Sequence, residues 1–146
     1  EATDRSARND TVDLLGLLAE EAARVDAQVS GEPVQLRGDA RMLRRLVRNL
    51  LENARRYGSG SSVEASVQAR SEGGAKLIVA DRGPGIPAEE RERVFEPFYR
   101  LAGTPEQGAG VGLGLALVRQ IAQRHGGDAK YLARDGGGTV FEVHLN

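Results

Sequence analysis

The run Gln107–Leu115, QGAGVGLGL, places glycines at 108, 110, 112 and 114, immediately before and inside the start of an apolar helical pattern. Such a loop presents unpaired backbone N–H groups and the positive end of the helix dipole to an anion, most obviously a phosphate. A plain loop leading into a closely packed helix would read the same way. The spacing is not that of a dinucleotide fingerprint, because the third glycine of GxGxxG would fall on Leu115 and no βαβ unit precedes the run. A second stretch, Asp81-Arg82-Gly83-Pro84-Gly85, closes an apolar strand pattern. A carboxylate there, beside backbone bared by two glycines, suits a flat heterocycle with an exocyclic amino group, although an Asp that merely opens a turn is common. Third, Asn49 and Asn53 lie four apart in Arg41–Tyr57, with Arg56 a turn further on. They share one face of a helix, where asparagine is a mediocre former, and exposure statistics alone favour solvated surface residues.

Other candidates are weaker. Phe95, Phe98 and Tyr99 have the character of core or loop-anchoring aromatics, and Arg100 beyond them could meet a phosphate. The arginines at 41, 44, 45, 48, 55 and 56 surround much of their helix and mix with Glu52, which favours a salt-bridged surface over a nucleic-acid helix. His125 and His144 are isolated, without a second ligand at metal spacing. No lysine follows a glycine, so the GxxxxGK[ST] phosphate loop is absent.

The elements that must position these residues can be read from periodicity. Glu1–Asp10 is polar and patternless, a tail or linker. Thr11–Val29 is expected to be a leucine-faced helix, and Val34–Arg37 a short strand paired with Ala27–Ser30 across Gly31-Glu32-Pro33. Asp39 is placed to cap the amphipathic helix that carries the asparagines and ends at Tyr57-Gly58. Val63–Arg70 and Ala75–Ala80 form an antiparallel hairpin, Ala88–Val94 a short helix, Gly112–His125 the third long helix, and Asp128–Ala133 with Thr139–Leu145 the last two strands. Short hairpin connections are incompatible with a parallel doubly wound sheet. The expected fold is therefore α+β: a two-layer sandwich whose mixed, mostly antiparallel sheet of about five strands is covered on one face by three helices.

Composition sets the outer bounds. The 146 residues fit one domain (11–146 after the tail), 40% apolar and 28% charged, as expected of a globular protein. There is no cysteine, which removes disulfides, thiol nucleophiles and cysteine metal sites. The net charge of −1 gives no reason to expect nucleic acid as a partner. No apolar run is long enough to span a bilayer, and the chain opens without methionine, as a piece of a longer protein would.

Taken together and in this order, NLLENARRY, DRGPGIP, FEPFYR and GVGLGLALV resemble the ATP-binding catalytic domain of bacterial sensor histidine kinases, of the Bergerat-fold superfamily, over about Val12 to Leu145. The resemblance implies that Asn53, helped by Asn49, holds a Mg²⁺ on the ATP phosphates. It puts Arg56 near the phosphates, Tyr57 along the nucleotide, and Asp81 on the adenine amino group. Gly83, Gly85 and Ile86 would line the base pocket, with Phe95 and Phe98 as the phenylalanine box. Arg100–Gly110 would be the lid. Gly110, Val111, Gly112, Leu113, Gly114 and Leu115 would form the second glycine box. Hydrolases of the superfamily carry a glutamate base where this chain has Asn49, which cannot act as a general base, so the resemblance points to phosphotransfer. The implied partners are a helical hairpin of the full-length protein carrying the phosphoacceptor histidine and, downstream, a response regulator. Neither His125-Gly126 nor His144-Leu145 fits the H-[ED]-x-[RK] acceptor motif. The fragment is thus expected to be a monomer that binds ATP·Mg²⁺ without phosphorylating itself, the cytoplasmic part of a membrane sensor. The alternatives are a same-fold serine kinase or ATPase, and a non-catalytic nucleotide-binding module.

Overall fold

A computed structural model describes residues 10–57, 62–97, 114–134 and 136–146. The elements run β1 (Asp10–Asp13), α1 (Leu14–Ala22), β2 (Gln28–Gly31), β3 (Gln35–Gly38), α2 (Ala40–Tyr57), β4 (Glu64–Ala69), β5 (Ala75–Asp81), α3 (Gly114–Arg124), β6 (Asp128–Ala133) and β7 (Thr139–Leu145). Five strands form one sheet in the order β2-β4-β5-β7-β6. Among the described residues, β2 pairs parallel with β4 and the other neighbours in this sheet pair antiparallel.

Alternation along the strands sends one set of side chains into the core. Val67, Leu77, Val79, Phe141, Val143 and Leu145 are all buried. Against them lie Leu14 and Leu18 of α1, Leu43, Leu46, Val47 and Leu50 of α2, and Val118 and Ile121 of α3, the apolar stripes of three amphipathic helices. The expected two-layer α+β sandwich is what the chain adopts.

The amino-terminal third differs from the expected helix over 11–29. Strand β1 takes Asp10, the last residue of the expected tail, and pairs antiparallel with β3 as a separate two-stranded sheet. Helix α1 starts only at Leu14, because Asp13 is its cap: the carboxylate accepts from the Gly16 N–H at 3.1 Å. It stops at Ala22 because Asp26 turns left-handed (φ 59°) and Ala27 N–H returns to the Ala22 carbonyl at 3.1 Å. The expected pairing of β3 with 27–30 is also replaced, since β2 runs parallel to β4. There a Cβ on Gly31 would lie 2.1 Å from the Val67 carbonyl oxygen, so glycine permits the close approach. The short helix expected over 88–94 is two 3-10 turns, Ala88–Glu90 and Arg93–Phe95.

An ionic cluster fixes α1 to α2. Glu21, 3% exposed, accepts from Arg44 at 2.7 Å and from Arg48 at 2.9 and 3.2 Å. Arg48's hydrogen bonds, outweighing burial, hold the Glu21 carboxyl below the usual carboxylate range. A lowered folded-state pKa means that this carboxylate stabilises the fold above the ordinary glutamate pKa and stops doing so as pH falls through the lowered value. Glu21→Gln is expected to cost about 2 kcal/mol near neutrality, by loss of charge-assisted hydrogen bonds. Its melting-temperature deficit should shrink towards zero on acidification, which thermal melts over a pH series will read.

Candidate functional site

Helix α2 is set by its cap. Asp39 accepts from the N–H groups of Arg41 and Met42 at 3.0 and 3.3 Å, as its position in the sequence suggested. Asp10 takes the Ala40 N–H at 3.2 Å, and the Nε2 of His125 accepts the Asp39 N–H at 3.1 Å. The apolar stripe then seats the helix, and Asn49 and Asn53 fall at the margin of that buried face. Asn53 is 7% exposed, so it is no solvated surface residue. Its Nδ2 donates to the Asn49 carbonyl at 2.8 Å, which leaves the amide oxygen as the end a hard cation would use.

The asparagines face the first turn of α3. Asn49 Nδ2 donates to the Gly114 carbonyl at 3.4 Å, and a Cβ on Gly114 would stand 2.9 Å from Asn53 Nδ2. The fold therefore joins the asparagine pair to the glycine-rich helix start, which the sequence could only list side by side. Arg56, exposed on the last turn of α2, lines a cleft of about 410 Å³ with Arg24, Val25, Glu52 and Arg55. Tyr57 ends α2, and its side chain lies outside the described residues.

Asp81 ends β5 and is 1% exposed. Its Oδ1 accepts from the Gly83 N–H at 2.8 Å. Burial pushes the carboxyl up from its ordinary value, against the pull of the Gly83 and Thr139 N–H groups and the charge of Arg134. Gly138 passes so close that a Cβ would lie 2.1 Å from the Asp81 carbonyl oxygen, at φ +117°. Beyond Asp81 the chain turns through Gly83 and Gly85 to Ile86, which is 4% exposed and donates its N–H to the Tyr131 hydroxyl at 3.3 Å. Phe95 and Leu115 are each 5% exposed and belong to the core. Phe95 sits edge-on to Phe141, ring centroids 5.9 Å apart, under the Arg119 guanidinium at 4.0 Å. Phe98, Arg100, Gly110, Val111, Gly112 and Leu113 lie outside the described residues.

Three residues of this end of the sheet had not been singled out: Thr139, Arg134 and Tyr131. Thr139 did carry a signal, as the one polar residue on the inward phase of TVFEVHL, where it is 1% exposed. Arg134 carried none. Among the described residues no group of three or more His, Asp or Glu side chains is placed to hold a metal. His144 is engaged instead with Glu142 across 2.6 Å on the sheet.

A family model described as histidine kinase-, DNA gyrase B- and HSP90-like ATPase matches residues 38–146. The chain belongs to this ATPase family. It is 38% identical over 128 residues to the sensor protein CutS of Streptomyces coelicolor, covering 86% of this chain and 31% of that one. It is 40% identical over 116 residues to the signal transduction histidine-protein kinase/phosphatase MprB of Mycolicibacterium vanbaalenii, covering 79% and 24%. The chain thus spans about a quarter to a third of the length of these relatives. Among solved structures, a mycobacterial sensor histidine kinase MprB superposes with TM-score 0.82 at 34% identity, over 93% of this chain and 97% of that one. The ATP-binding domain of PrrB from Mycobacterium tuberculosis gives 0.73 at 32%, over 94% and 96%. These family members are of the kind the four ordered motifs resemble.

Proposed function

We propose that this chain is the domain of a sensor histidine kinase that binds ATP with Mg²⁺ and presents the γ-phosphoryl group to a histidine on a separate helical hairpin of the full-length protein. The observation that supports it most is the seating of Asn49 and Asn53 against the first turn of α3 at Gly114. That junction brings the two side-chain amides to the start of α3 through their nitrogens, which leaves their oxygens unused beside a helix N-terminus, where a polyphosphate is favoured. Asn53 and Asn49 would hold the Mg²⁺, which when bound would neutralise charge on the phosphates. The chain's own contribution is position. Asp81, with Oδ1 anchored by Gly83, would accept the adenine amino group, Gly83, Gly85 and Ile86 would flank the base, and the start of α3 would receive the phosphates. Nothing at the Asn49 position can deprotonate water, so the site favours transfer to a held acceptor over hydrolysis. The downstream partner would be a response regulator. Among the described residues no helix is long and apolar enough to cross a membrane, so membrane attachment in a sensor would come from other parts of the full-length protein.

Calorimetric titration with a non-hydrolysable ATP analogue, with and without Mg²⁺, is the test. Binding that tightens with Mg²⁺ and rejects the corresponding GTP analogue at least about tenfold is expected. Guanine offers a carbonyl where adenine offers the amino group, and facing Asp81 it would leave a buried acceptor unpaired. Equal affinity for the two bases, or no binding of either, would overturn the reading.

A further inference from the structure

Arg134 follows the last residue of β6, an edge strand, yet its side chain is only 16% exposed. One guanidinium nitrogen donates to the Asp81 carbonyl at 3.1 Å, and the other pairs with Glu64 Oε1 at 2.7 Å. Glu64 opens β4, two strands further across the sheet than β7. The registers explain the reach: Ala133 opposes Thr139, Thr139 opposes Asp81, and Glu64 opposes Ala80. One arginine therefore clamps the ends of β6, β5 and β4 beside the buried carboxylate.

We propose that Arg134 is a positioning residue for nucleotide recognition, fixing the end of β5 through the Asp81 carbonyl and setting a positive charge beside the adjoining buried carboxylate. The proposal rests on the assignment of Asp81 to the adenine amino group. Burial works against the charged form of Asp81, and the forces opposing it are few: the N–H groups of Gly83 and Thr139, and the positive charge of Arg134. Thr139 brings no charge from β7, and Glu64, the acid on the β4 side, is paired to Arg134 itself. Arg82 follows Asp81 in the chain. A neutral side chain at 134 would thus remove the favourable charge that reaches Asp81 from the end of β6, across β7. Arginine serves here because one planar fork can reach a carbonyl and a carboxylate together.

Two measurements on Arg134→Met and Arg134→Lys test this. The first follows the Asp81 carboxyl by ¹³C NMR through a pH titration of the nucleotide-free domain. Its midpoint should move to higher pH in Arg134→Met and return towards wild type in Arg134→Lys, which restores charge without the fork. The second is the pH profile of affinity for the non-hydrolysable ATP analogue, whose acidic limb should move with the carboxyl midpoint. A purely structural role would lower affinity equally at every pH. An Asp81 midpoint unchanged in Arg134→Met, or displaced as far in Arg134→Lys, overturns the proposal. If Arg134→Met does not fold, Arg134→Gln decides in its place: it keeps hydrogen-bonding capacity without the charge, so its Asp81 midpoint must move to higher pH, and an unmoved midpoint overturns the proposal. A carboxyl midpoint that moves while the binding profile does not would refute the adenine role of Asp81 and leave the Arg134–Asp81 coupling standing.

Discussion

On the proposed function, Asn53→Ala in the full-length protein is expected to lower histidine phosphorylation by about 100- to 1000-fold, the loss typical of removing one preorganised group that meets developing charge. The substitution deletes a buried amide oxygen and leaves Asn49, whose amide nitrogen is on the Gly114 carbonyl, as the one remaining amide of the proposed pair. The fold should tolerate the change. The Asn53 hydrogen bond runs back to the carbonyl of residue 49 in the same helix, and alanine is the better helix former. Loss of phosphotransfer measured with labelled ATP, in a protein that melts at or above the wild-type temperature, is the expected pair of results. Retained transfer would remove Asn53 from any metal role. A large drop in melting temperature would show that its work is structural.

This separation of function from stability was partly visible in the sequence. The pattern of α2, its Asp39 cap and the two hairpins follow from local chemistry, because the residues that decide them lie within a few positions of one another. The same is true of the turn after Asp81, where Gly83 meets the carboxylate two residues back. What escaped was long-range or conformationally unusual. The stop of α1 depends on an aspartate in a left-handed conformation, which reads as an ordinary helix residue. Strands β1 and β2 are each four residues long, and their partners lie far along the chain, so periodicity alone cannot choose between them. Whether Asn53 was exposed or enclosed could not be told either, since the wall that covers it comes from Gly114. Arg134 lies 53 residues from the carbonyl it holds.

Asp81→Asn carries the second large effect, and it acts in opposite directions on binding and on folding. The asparagine keeps one oxygen, which can still accept the Gly83 N–H, but it puts an NH₂ where the carboxylate had a second acceptor. That group would face the adenine amino donor, and affinity for the ATP analogue should fall by about 10- to 100-fold, the worth of a hydrogen bond to a charged group. The empty domain responds differently. Burial raises the Asp81 pKa in the folded state, so between the ordinary aspartate value and the raised one the folded chain binds more protons than the unfolded chain. Stability owed to this residue is therefore present at low pH and lost as pH rises through that window. The asparagine does not titrate, so the melting temperature of the variant relative to wild type should rise with pH across the window and level off above it. Melts of both proteins along a pH series, without nucleotide, will show this. A difference that stays flat, or that falls with pH, would mean that the carboxylate is fully compensated where it sits. A difference that rises identifies a charge kept in the core at a cost in stability, as expected of a group that recognises a ligand.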